Sequence, residues 1–354
     1  RPVLPGLPPA FAHHPPLMNT ETVRIPFEQL HAELARILRK KGFSADRADA
    51  SARLFAETTQ DGVYSHGVNR FPRFLEYLDK GYVVPGATPV QTGSLGALEQ
   101  WDGRQGPGNL NAQFCTERAV ALARQHGMGG VALRNTNHWM RGGSYGWQAA
   151  EAGCIGICFT NTIPNVPPWG GKDARLGNNP LVIAIPREGG HVVLDTAMSL
   201  YSYGKMEGHA QAGTLLPYEG GFDEAGNLTR DPNAILKAGR PLPIGYWKGA
   251  GLSLALDLMA AVLSEGLGTA GIGGLGSEYR VSQVFICLDV SSPAHFGHRQ
   301  AIVDAALDFM HGAAPASAGE NIYYPGEKTL RTRQENQTRG IPVELKLWQE
   351  LQGI

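Results

Sequence analysis

Four short apolar runs constrain this chain more than any other feature: GGVALRN (129–135), IGICFTN (155–161), LVIAI (181–185) and VVLDTA (192–197). Each is too short to present a helical stripe, is mostly apolar with Val and Ile prominent, and lies near Gly, Pro or Asn, which predicts buried strands. Helical periodicity intervenes at 112–126 and at 145–152. Strands interleaved with helices give a mixed α/β or α+β lobe, whose extent we read as 129–298.

The flanking sequence has another character. Leu30, Leu34, Ile37 and Leu38 share one helical face, Gly42 ends that segment, and Ser44 then offers an N-cap for a second helix reaching about Thr59. Phe71, Phe74, Leu75 and Leu78 repeat at three and four, with Pro72 in the first turn. Residues 24–128 and 299–354 are therefore expected to form a helix-rich lobe, and the Pro-rich stretch 1–23 a disordered leader outside the fold. The run LSLALDLMAAVL (252–263) is too long for a strand and predicts a buried helix rather than a membrane span.

A formal net charge of −1 and a pI near 6.9 provide no field that would gather a polyanion, so no nucleic-acid partner is expected, and no apolar run spans a membrane. Cys115, Cys154, Cys158 and Cys287 lack C-x-x-C spacing and read as reduced, buried thiols of a cytoplasmic protein. Asn227 and Asn336 head glycosylation sequons, which carry little weight without a secretion signal.

Two motifs are decoys. Residues 271–276 spell GIGGLG, yet the dinucleotide fingerprint needs a strand running into the glycines and a helix after them, whereas here a helix precedes and SEYR leads to a strand. A flexible loop is expected instead. His295 and His298 form an H-x-x-H pair, but Pro293 and Gly297 break the helix that would aim both at one ion, so a surface turn is expected and no metal site.

Polar residues gather elsewhere. YSHGVNRFPRF (64–74) sets His66 and Arg70 in a connection between helices, and NTNHWMRGGSYGW (135–147) sets His138 in a loop at a strand end. Thr160 and Asn161, Asp195, and the trio Tyr246, Trp247 and Lys248 also fall at element ends. Each singly reads as a cap or a turn. Together His66, Arg70 and a carboxylate supply what is needed to protonate a carbonyl while holding an acidic substrate.

At these residues, GVYSHGVNRFPRF, ALRNTNHWMRGGSYGWQAAE, GFDEAGNLT and GYWKGAGLSLALDL, the chain resembles the malate/L-lactate dehydrogenase family, from about Phe27 nearly to the C-terminus. That resemblance implies a non-Rossmann NAD(P)-binding fold with a strand-rich cofactor lobe and a helical lobe, and a homodimer. It implies NADH, with NADPH as the alternative, reducing a small α-keto sugar acid. His66 is then the proton donor, with His138 as the second candidate. Cofactor contacts carry over onto His191, Val192, Val193, Leu194, Asp195, Thr196 and Ala197, onto Trp247 and Lys248, and onto Gly326, Glu327 and Lys328. Asp195 would orient an imidazole. Arg70, four residues after His66, would clamp the substrate carboxylate, its alternative being a surface ion pair. Malate, lactate and ureidoglycolate are the competing substrates within the family, and a sugar-acid hydrolase or isomerase is the competitor outside it.

Overall fold

The computed structural model describes residues 21–316 and 320–354; most of the expected leader lies outside the described residues. The chain enters through β1 (Thr22–Ile25), so the last two positions assigned to that leader belong to the fold. Helices α1 (Phe27–Lys40) and α2 (Ala45–Gln60) follow. Two single turns of 3-10 helix, Tyr64–His66 and Val68–Arg70, then lead into α3 (Phe71–Asp79). The expected punctuation is present: Gly42 is left-handed at φ +91°, Ser44 is the N-cap residue of α2, and Pro72 sits in the first turn of α3.

The next stretch holds β2 (Val90–Leu95), β3 (Leu98–Asp102), α4 (Gly108–His126), β4 (Met128–Thr136), α5 (Gly143–Glu151), β5 (Cys154–Thr160), β6 (Leu181–Ile185) and β7 (Val192–Thr196). An excursion from the sheet carries α6 (Tyr203–Gln211), the short pair β8 (Gly221–Phe222) and β9 (Leu228–Thr229), and α7 (Pro232–Ala238). Then come α8 (Trp247–Ser264), α9 (Thr269–Gly274), β10 (Val281–Asp289), α10 (Pro293–Phe296), α11 (Arg299–His311), α12 (Glu327–Arg339), β11 (Ile341–Glu344) and α13 (Leu345–Gly353).

Seven strands form one sheet in the order β2-β3-β4-β10-β5-β6-β7, antiparallel throughout except for β3 beside β4. That order is not the doubly wound parallel sheet of a Rossmann domain. Side chains alternate across it as the pleat requires. Val131, Leu133, Phe285 and Cys287 meet α4 and α5 on one face, whereas Ala132, Phe159 and Val284 meet Leu256 and Ala260 of α8 on the other. A second core joins α1, α2 and α3 to the C-terminal Ile341, Val343, Trp348 and Leu351, with β1 pairing β11. All four cysteines are buried and free.

Three expectations change. The strand-rich unit takes in β2, β3 and α4, although 90–126 reads as part of the helical lobe, because β3 pairs with β4 and α4 packs on the same sheet. Residues 271–274 of GIGGLG are helical, in α9, rather than a loop. Helix α8 is buried on one side only: Ser253, Leu256, Asp257 and Ala260 face inward, while Leu252, Leu258, Met259 and Val262 are exposed. A run that is apolar all round cannot disclose which side the sheet will cover.

Candidate active site

His66 owes its place to Gly67. The Thr59 hydroxyl donates to Phe55 O at 2.6 Å and accepts the Val68 N–H at 2.9 Å, drawing the chain so close to α2 that any Cβ at position 67 would strike Thr59. The two 3-10 turns on either side of that glycine carry His66 and Arg70. His138 is placed by a second close approach, where Gly108 at the start of α4 packs onto the carbonyls of Asn137 and His138. The histidine rings then stack, with centroids 5.8 Å apart and planes at 23°.

Their hydrogen bonds differ. His138 Nδ1 accepts the Met140 N–H at 2.9 Å, so its proton resides on Nε2, 4.0 Å from Glu278 Oε1. His66 Nδ1 lies 3.0 Å from the Ser65 hydroxyl. Burial, followed by the positive charges of Arg70 and Arg141, pushes the His66 pKa down to about 4. Burial, Arg70 and His66 itself hold His138 well below the usual imidazole range. Both rings are neutral near pH 7.

Arg70 is half-buried, and burial lowers its pKa, yet among the described residues it makes no hydrogen bond and no ion pair. It lines a cleft with Arg73, Tyr77, Asn137, His138 and Glu278. A desolvated guanidinium without a partner is costly unless an anion arrives.

Behind His66, Asp61 is clamped by Arg141 and by Arg333, whose Nε and Nη2 donate at 2.6 and 2.8 Å. Arg141 and Asp61 are both buried. Asp195 lies on this side, but its Oδ2 accepts the Gly143 N–H at 2.8 Å and its charged neighbour is Arg141. No imidazole touches it among the described residues, so the expected orienting contact is absent.

The segments expected at the cofactor do converge in part. Val193 N–H donates to Pro325 O at 2.8 Å, and Gly326, left-handed at φ +102°, lies against the backbone of His191 and Val193 so closely that a Cβ would meet them at 3.0 and 3.2 Å. Val192, Leu194 and Thr196 continue β7 along the open edge of the sheet, and Ala197 follows it. His191 packs against Trp147, whose buried Nε1 has no hydrogen-bond partner. Lys205, at the start of α6, and Lys328 are near enough that Lys328 adds to burial in lowering the Lys205 pKa, and neither has an anionic partner among the described residues. Two unpaired cations, an orphaned donor and an open strand edge fit a dinucleotide with its pyrophosphate. Glu327 is occupied by His311, Arg331 and the Tyr324 N–H. Trp247 and Lys248 open α8 at the surface, beside the exposed pair Trp169 and Tyr246, after a segment (242–244) that bonds back to the residues following β7.

Thr160 and Asn161 serve structure. Asn161 Nδ2 donates to Asp257 Oδ1 and Leu267 O, both at 2.8 Å, and its Oδ1 accepts Ser282 N–H at 2.8 Å, tying α8 to the sheet. Asn336 likewise donates to Gln60 O from inside α12, so the asparagine of that sequon is buried. Sequence reasoning missed Glu278, Arg141, Asp61 and Lys205. Of these, only Arg141, within NTNHWMRGGSYGW, and Glu278, in the SEYR tetrapeptide beside the glycine decoy, fell in stretches the sequence had singled out.

Residues 25–352 match the malate/L-lactate dehydrogenase family model. A 2,3-diketo-L-gulonate reductase from Citrobacter koseri is 49% identical over 333 residues, which is 94% of this chain and all of that protein. Among solved structures, a dehydrogenase from Sinorhizobium meliloti superposes with a TM-score of 0.83 at 30% identity, over 94% of this chain and 98% of that one. A Δ1-piperideine-2-carboxylate reductase from Pseudomonas syringae gives 0.83 at 28% identity, over 94% and 99%.

Proposed function

Because the chain belongs to the malate/L-lactate dehydrogenase family, we propose that it reduces 2,3-diketo-L-gulonate to 3-dehydro-L-gulonate with NADH, in the cytoplasm, with His66 as proton donor. The observation that carries this reading is the half-buried, unpartnered Arg70 four residues from a neutral His66.

When bound, NADH supplies the hydride that reaches the keto carbon at position 2. Lys205, Lys328 and the β7 edge with Gly326 would hold it. Arg70 takes the substrate carboxylate through its planar fork. That contact also offsets the charge that depresses His66, so substrate binding raises the proton affinity of the imidazole where the proton is needed. As the imidazolium, His66 donates its Nδ1 proton to the Ser65 hydroxyl and gives its Nε2 proton to the oxygen as it becomes an alkoxide, returning to the neutral ring. In the reverse direction neutral His66 is the base. His138, with its Nε2–H turned to Glu278, supports the ring of His66 by stacking.

Two measurements test this. NADH absorbance must fall when 2,3-diketo-L-gulonate is added, and NADH must raise the melting temperature whereas ATP, lacking the nicotinamide half, must not. An unchanged melting temperature at saturating NADH rejects the cofactor.

The exposed Leu252, Leu258, Met259 and Val262 of α8 support a homodimer, since an apolar stripe of this kind is ordinarily covered. Val262→Glu should convert the species seen by light scattering from dimer to monomer; a wild-type monomer would end the proposal.

A further inference from the structure

We infer that Glu278 is the residue that selects a polyhydroxy keto acid over a dicarboxylic one, an inference that rests on the reaction proposed above. Its carboxylate lines the same cleft as Arg70 and His138 and is the only acidic group there among the described residues. One oxygen accepts the Ile163 N–H at 3.2 Å and the other faces His138 Nε2 at 4.0 Å. Its neighbours pin it: Tyr279 stacks on Tyr82 with centroids 4.5 Å apart and planes at 6°, and Arg280 donates to Asn135 at 2.8 Å. The carboxylate is therefore a fixed feature of the site rather than a side chain free to swing away.

With the substrate carboxylate on Arg70, the remainder of the molecule extends among the other groups lining the cleft. Arg73 is turned over the ring of Tyr77, to whose hydroxyl it donates, so it offers a second carboxylate only an engaged partner. A chain bearing hydroxyl groups can donate to Glu278 through charge-assisted hydrogen bonds. The second carboxylate of a keto dicarboxylate has no proton to donate and meets a like charge. A buried acceptor that requires a substrate hydroxyl discriminates more strongly than a fitted apolar pocket does.

The test uses the full chain with NADH and compares kcat/KM for 2,3-diketo-L-gulonate, oxaloacetate and pyruvate. Glu278→Gln keeps an acceptor for Ile163 but removes the charge, and should lower the ratio of kcat/KM for the sugar acid to that for oxaloacetate at least about tenfold, with NADH affinity unchanged. Glu278→Asp keeps the charge and should retain discrimination against oxaloacetate within about threefold of wild type. An unchanged ratio in Glu278→Gln, or an Asp variant as permissive as the Gln variant, overturns the inference. A wild-type protein that oxidises NADH with none of the three acids instead overturns the reaction on which it rests.

Discussion

Two polar clusters in this molecule draw on the same kinds of side chain and end differently. Around Asn161, every polar group of the side chain is met: Asp257, Leu267 and Ser282 take its bonds, and Asp257 also accepts the Thr269 N–H at 2.8 Å. Around His66, Arg70 makes no hydrogen bond and no close ion pair among the described residues, and two imidazoles are held neutral by burial and nearby positive charge. Saturated bonds mark a joint. Unsatisfied ones, kept in place by Gly67 and Gly108, mark a site waiting for charge.

The largest effect should come from His66→Asn, which removes the proposed proton donor and should slow reduction by about 10²- to 10⁴-fold while NADH affinity is kept. Retention of more than about a tenth of the wild-type rate would transfer the role to His138. The opposite outcome is expected at the joint. Asn161→Ala strands Asp257 and the Ser282 N–H and should cost about 2 to 4 kcal/mol of stability in a urea melt, with kcat per folded molecule nearly unchanged.

Arg70→Lys exchanges a fork for a point charge and should raise KM by about tenfold with a smaller change in kcat. A kcat effect larger than the KM effect would mean that Arg70 acts in the chemical step. The pH dependence follows from the same charges. His66 in the ligand-free protein should titrate near 4 by NMR, and Arg70→Gln should move it upward because a positive neighbour is gone. Reduction should fall as pH rises above the imidazole pKa and oxidation should rise across the same window, since the two directions need opposite protonation states. Parallel profiles in the two directions would remove His66 from proton transfer.

The smallest effect tests the glycine decoy. Gly274 lies in α9 with open space around its Cα, so Gly274→Ala should leave NADH affinity within a few-fold and stabilise the fold by up to about 1 kcal/mol. A large loss of NADH affinity would show that GIGGLG holds phosphate after all.

Much of this was legible in the chain. The helix ends at Gly42 and Ser44, the strands at 129–135, 155–161, 181–185 and 192–197, and the connection carrying His66 all follow from local rules: periodicity, capping and φ preference act within a few residues. The same rules placed Thr160 and Asn161 among the candidates, since a polar residue at a strand end reads alike whether its bonds are met or open. Asp195 also read as a partner for imidazole, but the fold turns its carboxylate to Gly143.

By itself the sequence determined the four central strands and the helices at either end, the buried thiols, the strand-rich middle and the family, because each is written in spacing or in long ordered motifs. Only the tertiary structure decided that 90–126 joins the sheet, that α8 presents an apolar face outward, and that Asp61, Arg141 and Arg333 meet across 272 positions of chain. It also decided that Glu278 lies beside His138, from which it stands 140 positions away in the chain. Pairing partners, burial and desolvation are properties of packed neighbours, and neighbours distant in sequence leave no periodic trace in it.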